Sequence, residues 1–339
     1  GFALVLVIIY AFLNQSQLGF DRMGAGFACN PFYNDHTIFS AAIVFILPLF
    51  LAQSLYTKTF HITGSKKILL FIVTLFLLAG FYFSFCRASW LSALGIILLL
   101  LLILLGLRFK GLILILISAI SILIICREPL YNFMKLNKSD SNKTGAGLYE
   151  HVTSLTNITN DYSNTERLNR WYSSIKMAKE RPLLGFGPGT YQFQYLPFQS
   201  ATYKSYLSLE KPLKPGFGSF YWYSNAVGLM QDKEYTYKQG GGGTAHSEYF
   251  LELAEGGLLS FLLFISLPFA ALYIGLKKYS STTVKQTKIL VLSILLAIMS
   301  YFIHGLFNNF LDDCKLAFLF WTALCALTVI DLHYEKSGI

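Results

Sequence analysis

The residues best placed to do chemistry are an arginine between two apolar runs, a pair of arginines on a predicted helix, and a histidine beside glutamates. Arg87 sits in Phe-Ser-Phe-Cys86-Arg87-Ala-Ser-Trp90-Leu, the one interruption between two long apolar stretches. Arginine at a bilayer centre costs about 2.5–3.5 kcal/mol, and less near the surface. Such a residue either snorkels to the interface or serves as a fixed cation awaiting an anion. For the second role arginine has a permanent charge and a fork that matches phosphate oxygens. Arg167 and Arg170 lie at the start of a predicted helix from Asn164 to Glu180. His246 opens a second predicted helix, with Glu248 two residues on and Glu252 and Glu255 on later turns. A histidine with an ordinary pKa of about 6.5 can accept a proton near neutrality. It is equally able to cap or pack a helix, and Glu248 would favour the positive end of the macrodipole in any case. His36, in Asn34-Asp35-His36 at the start of an apolar run, either joins such a site or caps its own helix.

The elements that carry these residues have readable signals. In the Asn164–Glu180 helix, Asn164 or Thr165 can serve as cap. Leu168, Trp171, Tyr172, Ile175 and Ala178 form an apolar stripe at i, i+3, i+4 spacing, with both arginines on its flank. Arg181-Pro182 ends it, because proline disfavours the helical conformation in the residue before it. Leu-Leu-Gly185-Phe-Gly187-Pro-Gly189 then makes a tight turn, which allows close backbone approach to a ligand or to another helix. Residues 190–223 are dense in Tyr, Phe and Trp, suited to headgroup contact or to stacking on sugar faces. The run Gly240–Gly243 lacks the Lys-Ser/Thr of a phosphate-binding loop and reads as a hinge. There is no CxxC or HExxH pattern, so no metal site is expected and no cofactor is implied. The five cysteines do not suggest a disulfide scaffold, although Cys29 with Cys314 is a possible pair.

Behind these motifs stands a strongly apolar chain. Of 339 residues 54% are hydrophobic and 13% charged, against about 25% charged in a soluble domain. Eight apolar segments qualify as helices: 2–13, 37–56, 68–85, 88–107, 112–125, 256–276, 289–303 and 316–332. They lack period-two alternation, which excludes a strand ladder. A span needs about 20 residues. The first segment is short and begins mid-run, so the chain is expected to start inside a helix, with an N-terminal portion preceding it. The expected fold is an all-α polytopic transmembrane bundle. It has five helices within 1–126, a large, partly helical loop over 127–245, and three helices within 246–339. Ten basic residues fall on one side of these connections and three (Arg22, Arg87, Lys315) on the other, which makes the ten-residue side cytoplasmic. The loop then faces outward. Much of the net charge of +9 is this topological signal, which argues against nucleic acid as a partner.

Taken together, the motifs resemble the O-antigen ligase/polymerase superfamily. Cys86-Arg-Ala-Ser-Trp-Leu is similar to its Ser-Arg-x-x-Trp-Leu turn, with Cys in place of Ser. Arg167-Leu-Asn-Arg-Trp171 followed by Arg181-Pro-Leu-Leu-Gly-Phe-Gly-Pro-Gly189 resembles its Arg-Leu-x-x-Trp…Pro-x-x-Gly-x-Gly-x-Gly block. His246-Ser-Glu-Tyr…Leu-Ala-Glu255-Gly-Gly resembles its His-Asn-x-Tyr-Leu…Ala-Glu-x-Gly segment, with Ser247 where Asn is usual, and His304-Gly-Leu-Phe-Asn fits its last turn. The resemblance implies a metal-independent, GT-C-like glycosyltransferase of the bacterial inner membrane. Such an enzyme takes a glycan from undecaprenyl pyrophosphate at the periplasmic face and passes it to lipid A-core, another repeat unit or a protein hydroxyl. It also implies the roles: Arg87 and Arg167 on the pyrophosphate, His246 at the acceptor hydroxyl, and Arg170, Glu248, His304 and His36 as further substrate-binding residues. Direct attack by the acceptor would invert the anomeric centre. The rival reading is a polysaccharide transporter or flippase, which would favour ionisable residues at mid-membrane depth. The spans carry almost none.

Overall fold

The structure, a computed structural model, describes residues 2–17, 20, 22–125, 162–200 and 243–334. Among these the chain forms helices and no strand. They are α1 (Phe2–Gln17), α2 (Arg22–Phe27), α3 (His36–Leu55), α4 (Gly64–Phe83), α5 (Arg87–Leu104) and α6 (Phe109–Ile125). After them come α7 (Tyr162–Glu180), α8 (Tyr191–Gln194), a 3-10 turn (Leu196–Phe198), α9 (Glu248–Glu255), α10 (Gly257–Ser281), α11 (Lys285–His304) and α12 (Cys314–Tyr334). Every one of the eight apolar segments is helical. Six helices, α3, α4, α5, α10, α11 and α12, are long and apolar enough to cross a membrane, while α1 and α6 contain shorter apolar stretches. The chain is a multi-pass helical membrane protein. Cys126, most of the aromatic-rich stretch 190–223 and the run Gly240–Gly242 lie outside the described residues.

Two compact units emerge, and each has its own kind of core. The first comprises Gly1–Leu114, Ser266–His304 and Phe310–Ile339. Its centre is α3 against α11, with α4, α5 and α12 packed around them. α3 buries the unbroken run Phe39–Pro48, and α11 buries Ser293–Ile298 and Ser300–Phe302. Lipid-compatible side chains cover the outside, among them Phe71 and Leu75 on α4 and Leu94 and Leu98 on α5. Asp35 starts α3 by accepting the Thr37 N–H at 2.8 Å. The α4–α5 turn is only Ser84-Phe85-Cys86, with Phe85 in the left-handed region (φ 50°) and Ser84 bonded to Ser40 of α3 at 2.8 Å. Cys29 and Cys314 are both free thiols, so the possible pairing is not made. Cys29 is buried on its short loop, and burial together with the Asp35 charge pushes its thiol up to about 12.

The second unit comprises Ile115–Ile265 with Gly305–Asn309. In it α7 lies along α9 and the 3-10 turn. α7 starts at Tyr162, so Asn164 and Thr165 sit inside the helix and do not cap it. Its buried residues are Glu166, Asn169, Arg170, Ser173, Ser174 and Met177, a polar face at helical spacing. The apolar stripe seen in the sequence lies away from this face, with Tyr172 and Ile175 exposed. Polar burial is tolerated because the groups are paired. Ser173 and Ser174 donate to carbonyls one turn back at 2.8 and 2.9 Å, and Asn169 Oδ1 accepts the Ser200 N–H at 2.9 Å.

Candidate functional site

His246 is held from both sides by backbone contacts within the second unit. α9 begins at Glu248, two residues later than the sequence suggests, and Ser247 takes the N-cap position with extended backbone. The Glu248 N–H donates to the Gly305 carbonyl at 2.9 Å, and the Ser247 hydroxyl donates to the same oxygen at 3.1 Å. With Ser247 pinned there, His246 turns into the left-handed region at φ 51°. Histidine visits this region more readily than branched residues do, at a cost on the order of 1 kcal/mol. Its carbonyl receives the Trp171 indole N–H at 3.4 Å, and Trp171 stacks on Phe250 of α9 with ring centroids 5.2 Å apart.

One helical position earlier, Arg170 performs a similar task on the other side of His246. It is 2% exposed, its Nε donates to Glu166 Oε1 at 2.8 Å and its Nη1 donates to the Thr244 carbonyl at 2.9 Å. A Cβ at Gly243 would overlap the guanidinium, so a larger residue there would have to displace Arg170 from its partners. The guanidinium lies over Tyr195 at 5.2 Å, Tyr195 stacks on Tyr191 at 5.1 Å, and the Tyr191 hydroxyl donates to the Arg170 carbonyl at 2.8 Å. Burial alone works to lower the pKa of Arg170, but Tyr195 and Glu166 outweigh it, and the net shift is upward. Its bonds to Glu166 and the Thr244 carbonyl turn it inward, and as a guanidinium it stays charged there. Arg167, one turn ahead of Trp171 on α7, is half-buried. Glu248 is 2% exposed at the first turn of α9.

The glycine-rich turn is built for a helix end. Phe186 and Gly187 donate their N–H groups to the Ala254 and Glu255 carbonyls at 3.1 and 2.8 Å, satisfying the last turn of α9. A Cβ on Gly185 (φ 61°) would collide with those same carbonyls. Glu255 completes the clamp, its two carboxylate oxygens accepting the Gly189 and Tyr191 N–H groups at 2.7 and 2.8 Å. Sequence reasoning left Glu255 without a role. The signal was there: a carboxylate just before Gly256-Gly257, matched by a second glycine-rich turn upstream. At Gly256-Gly257 (Gly257 φ 68°) the helix is interrupted, so α9 does not run straight into α10, and the Leu258 N–H bonds to the Pro182 carbonyl at 2.7 Å.

Three of the expected residues fall in the first unit. Arg87 is the first residue of α5, half-buried, following the Cys86 cap. A cation at a helix N-terminus opposes the macrodipole, so helix stability does not account for it. His304 ends α11, buried, with Nδ1 3.4 Å from the Ser89 hydroxyl and its ring against Phe310 at 5.5 Å. His36 is the first residue of α3 and its Nδ1 lies 2.8 Å from Asp35 Oδ1. Asp35, rather than His36, is the cap. Among the described residues no three His, Cys, Asp or Glu side chains cluster as a metal site.

A family model described as O-antigen ligase matches residues 72–265, more than half of the chain. The chain belongs to the O-antigen ligase family. The match takes in Arg87, Arg167, Arg170, the glycine-rich turn, His246 and Glu248, and stops before His304. Activity of the ligase or polymerase type, a glycosyltransferase-like transfer, follows from membership of the O-antigen ligase family. No curated protein and no solved structure matches the chain.

Proposed function

We propose that the protein transfers a glycan from undecaprenyl pyrophosphate to a hydroxyl of lipid A-core, at the periplasmic face of the bacterial inner membrane. The observation that carries this reading is the treatment of His246. The chain pins the backbone on both sides of it, through Thr244, its own carbonyl and Ser247, and accepts a left-handed conformation there. Such strain is worth keeping where a side chain must be presented at a fixed angle. His246 accepts the proton of the acceptor hydroxyl as that oxygen attacks the anomeric carbon. The bond from sugar to pyrophosphate breaks in the same step, its electron pair leaving with the pyrophosphate, and the anomeric centre inverts.

Negative charge grows on the leaving group, and Arg167 and Arg87 bind its oxygens. Both are half-buried, so their charge is less screened than in bulk water. No step requires a metal ion. Arg170 and Trp171 are positioning residues in this scheme, acting through the backbone around His246. Polymerisation of repeat units or transfer to protein differs only in the acceptor.

The test is glycan transfer in a deletion strain complemented with variants. His246→Ala is expected to insert normally in the membrane and to abolish transfer, leaving polymer on its lipid carrier. Arg87→Lys and Arg167→Lys keep the charge and lose the fork, and each is expected to reduce transfer severely. Wild-type transfer by His246→Ala, or by both lysine variants, overturns the corresponding role. A product with retained configuration overturns the single displacement.

A further inference from the structure

The inverted amphipathicity of α7 has a physical counterpart elsewhere in the second unit. Helical spacing places Leu168, Tyr172, Ile175 and Lys179 opposite the buried polar face, and Tyr172 and Ile175 are 38% and 39% exposed. Beyond Arg181 the turn presents Leu183 and Leu184, at 70% and 74% exposed the most open leucines among the described residues of this unit. Exposed side chains of this kind on a water-facing loop would be costly, about 25 cal/mol for each Å² of apolar surface left in water.

What covers them is indicated by where the turn is fastened. The Leu258 N–H bonds to the Pro182 carbonyl at 2.7 Å, and a Cβ on Gly257 would strike the Leu183 backbone. The Leu183-Leu184 turn therefore sits level with the first residues of α10, a helix long and apolar enough to span the membrane. Along those first turns Leu258, Leu259, Leu262 and Leu263 are all exposed. The leucines of the turn and those of the span lie at the same end of one helix. Basic and aromatic groups border them in the manner of an interfacial segment: the Lys176 ammonium over the Tyr172 ring at 4.6 Å, Arg181 over Phe186 at 4.5 Å, and Lys179.

We propose that the exposed face of α7 and the Leu183-Leu184 turn form a membrane-docking surface, entering the bilayer at the boundary of headgroups and acyl chains beside the start of α10. Tyr172, Ile175 and the two leucines enter the apolar side while Lys176, Lys179 and Arg181 meet lipid phosphates. The docking fixes the height of α7 above the acyl chains. It does not depend on the catalytic roles assigned above, since it rests on exposure and on the fastening to α10.

The experiment uses the full chain reconstituted in lipid nanodiscs containing anionic phospholipid. Leu184→Cys, in a background with the native cysteines replaced by serine, is labelled with an environment-sensitive fluorophore. Gln194→Cys, exposed on α8 in the same unit, serves as reference. The label at 184 is expected to emit to the blue of the one at 194 and to resist aqueous iodide. It should be quenched more by nitroxides placed shallowly in the acyl chain than by deep ones, consistent with a depth of about 5–10 Å. Because the cysteine replacements could disturb folding, Leu184→Trp in the otherwise native chain provides a second measurement. Its added fluorescence is expected to be quenched by brominated lipids. Iodide quenching equal at the two positions, with no response to nitroxide or brominated lipid, overturns the proposal. So does a disulfide-linked dimer of the Leu184→Cys chain with no lipid quenching, which would assign the surface to a second copy.

Discussion

Helices α7 and α11 bury opposite kinds of surface. α11, at the centre of the first unit, encloses mostly apolar residues, Leu295, Ala297 and Ile298 among them, while its buried Ser293 and Ser300 bond to carbonyls of the same helix. α7, in the second unit, encloses a glutamate, an asparagine, an arginine and two serines, and leaves its apolar side open. In α11 burial rests mainly on van der Waals contact, which is non-directional and forgiving of rotation. In α7 it rests on hydrogen bonds whose geometry admits one orientation. The difference explains why α7 can hold the backbone around His246: directional bonds to Thr244 and His246 transmit position, where apolar packing would leave slack.

Arg170→Met should break that arrangement most severely. It removes the arginine paired with the buried Glu166 carboxylate, and loss of one member of a buried pair costs about 3–5 kcal/mol, read as the thermal or denaturant stability of the detergent-solubilised protein. Adding Glu166→Leu should restore much of the stability. Transfer activity should stay low, because the bond to the Thr244 carbonyl is not restored. Recovery of both together would mean that Arg170 does not position His246. If Arg170→Met is no worse than Ile175→Asn on the open side, the contrast between the two helices fails.

The glycine turn offers a narrower test of the same rigidity. Alanine at Gly189 meets nothing within 4 Å and pays only for the left-handed backbone, about 1–2 kcal/mol. Alanine at Gly185 pays that cost and also pushes against the Ala254 and Glu255 carbonyls, so about 2–5 kcal/mol is expected. Equal losses at both positions would show that the turn yields. The smallest effect belongs to the first unit, at the N-terminal cap of α3. Asp35→Ala removes the cap of α3 and should cost about 1 kcal/mol at neutral pH. Burial works to raise the pKa of Asp35, but the hydrogen bonds from His36 and Thr37 and the His36 charge hold it below the ordinary carboxylate value. The electrostatic part of its contribution is therefore complete above about pH 4 and is lost as pH falls through the lower folded value. The gap between wild type and variant should shrink in acid.

Much of this protein could be read without coordinates. Uninterrupted apolar runs must become helices in a membrane, because each backbone polar group has to be satisfied within its own segment. The helices α3, α4, α5, α10, α11 and α12 were legible for that reason, and Arg181-Pro182 marked the end of α7. The turn at Gly185–Gly189 was legible as a close approach, though its partner, the end of α9, was not. Sequence periodicity also found the stripe on α7 but could not tell which side of the helix it would face. Hydrophobic periodicity reports that two faces differ. Which face is enclosed depended on whether Asn169 and Arg170 found partners at Ser200, Tyr195 and Thr244, residues 25 to 74 positions away that only folding brings near. His246 shows the same division: its residue type suggested chemistry, while its left-handed backbone and the Trp171 and Gly305 contacts around it were decided by tertiary structure alone.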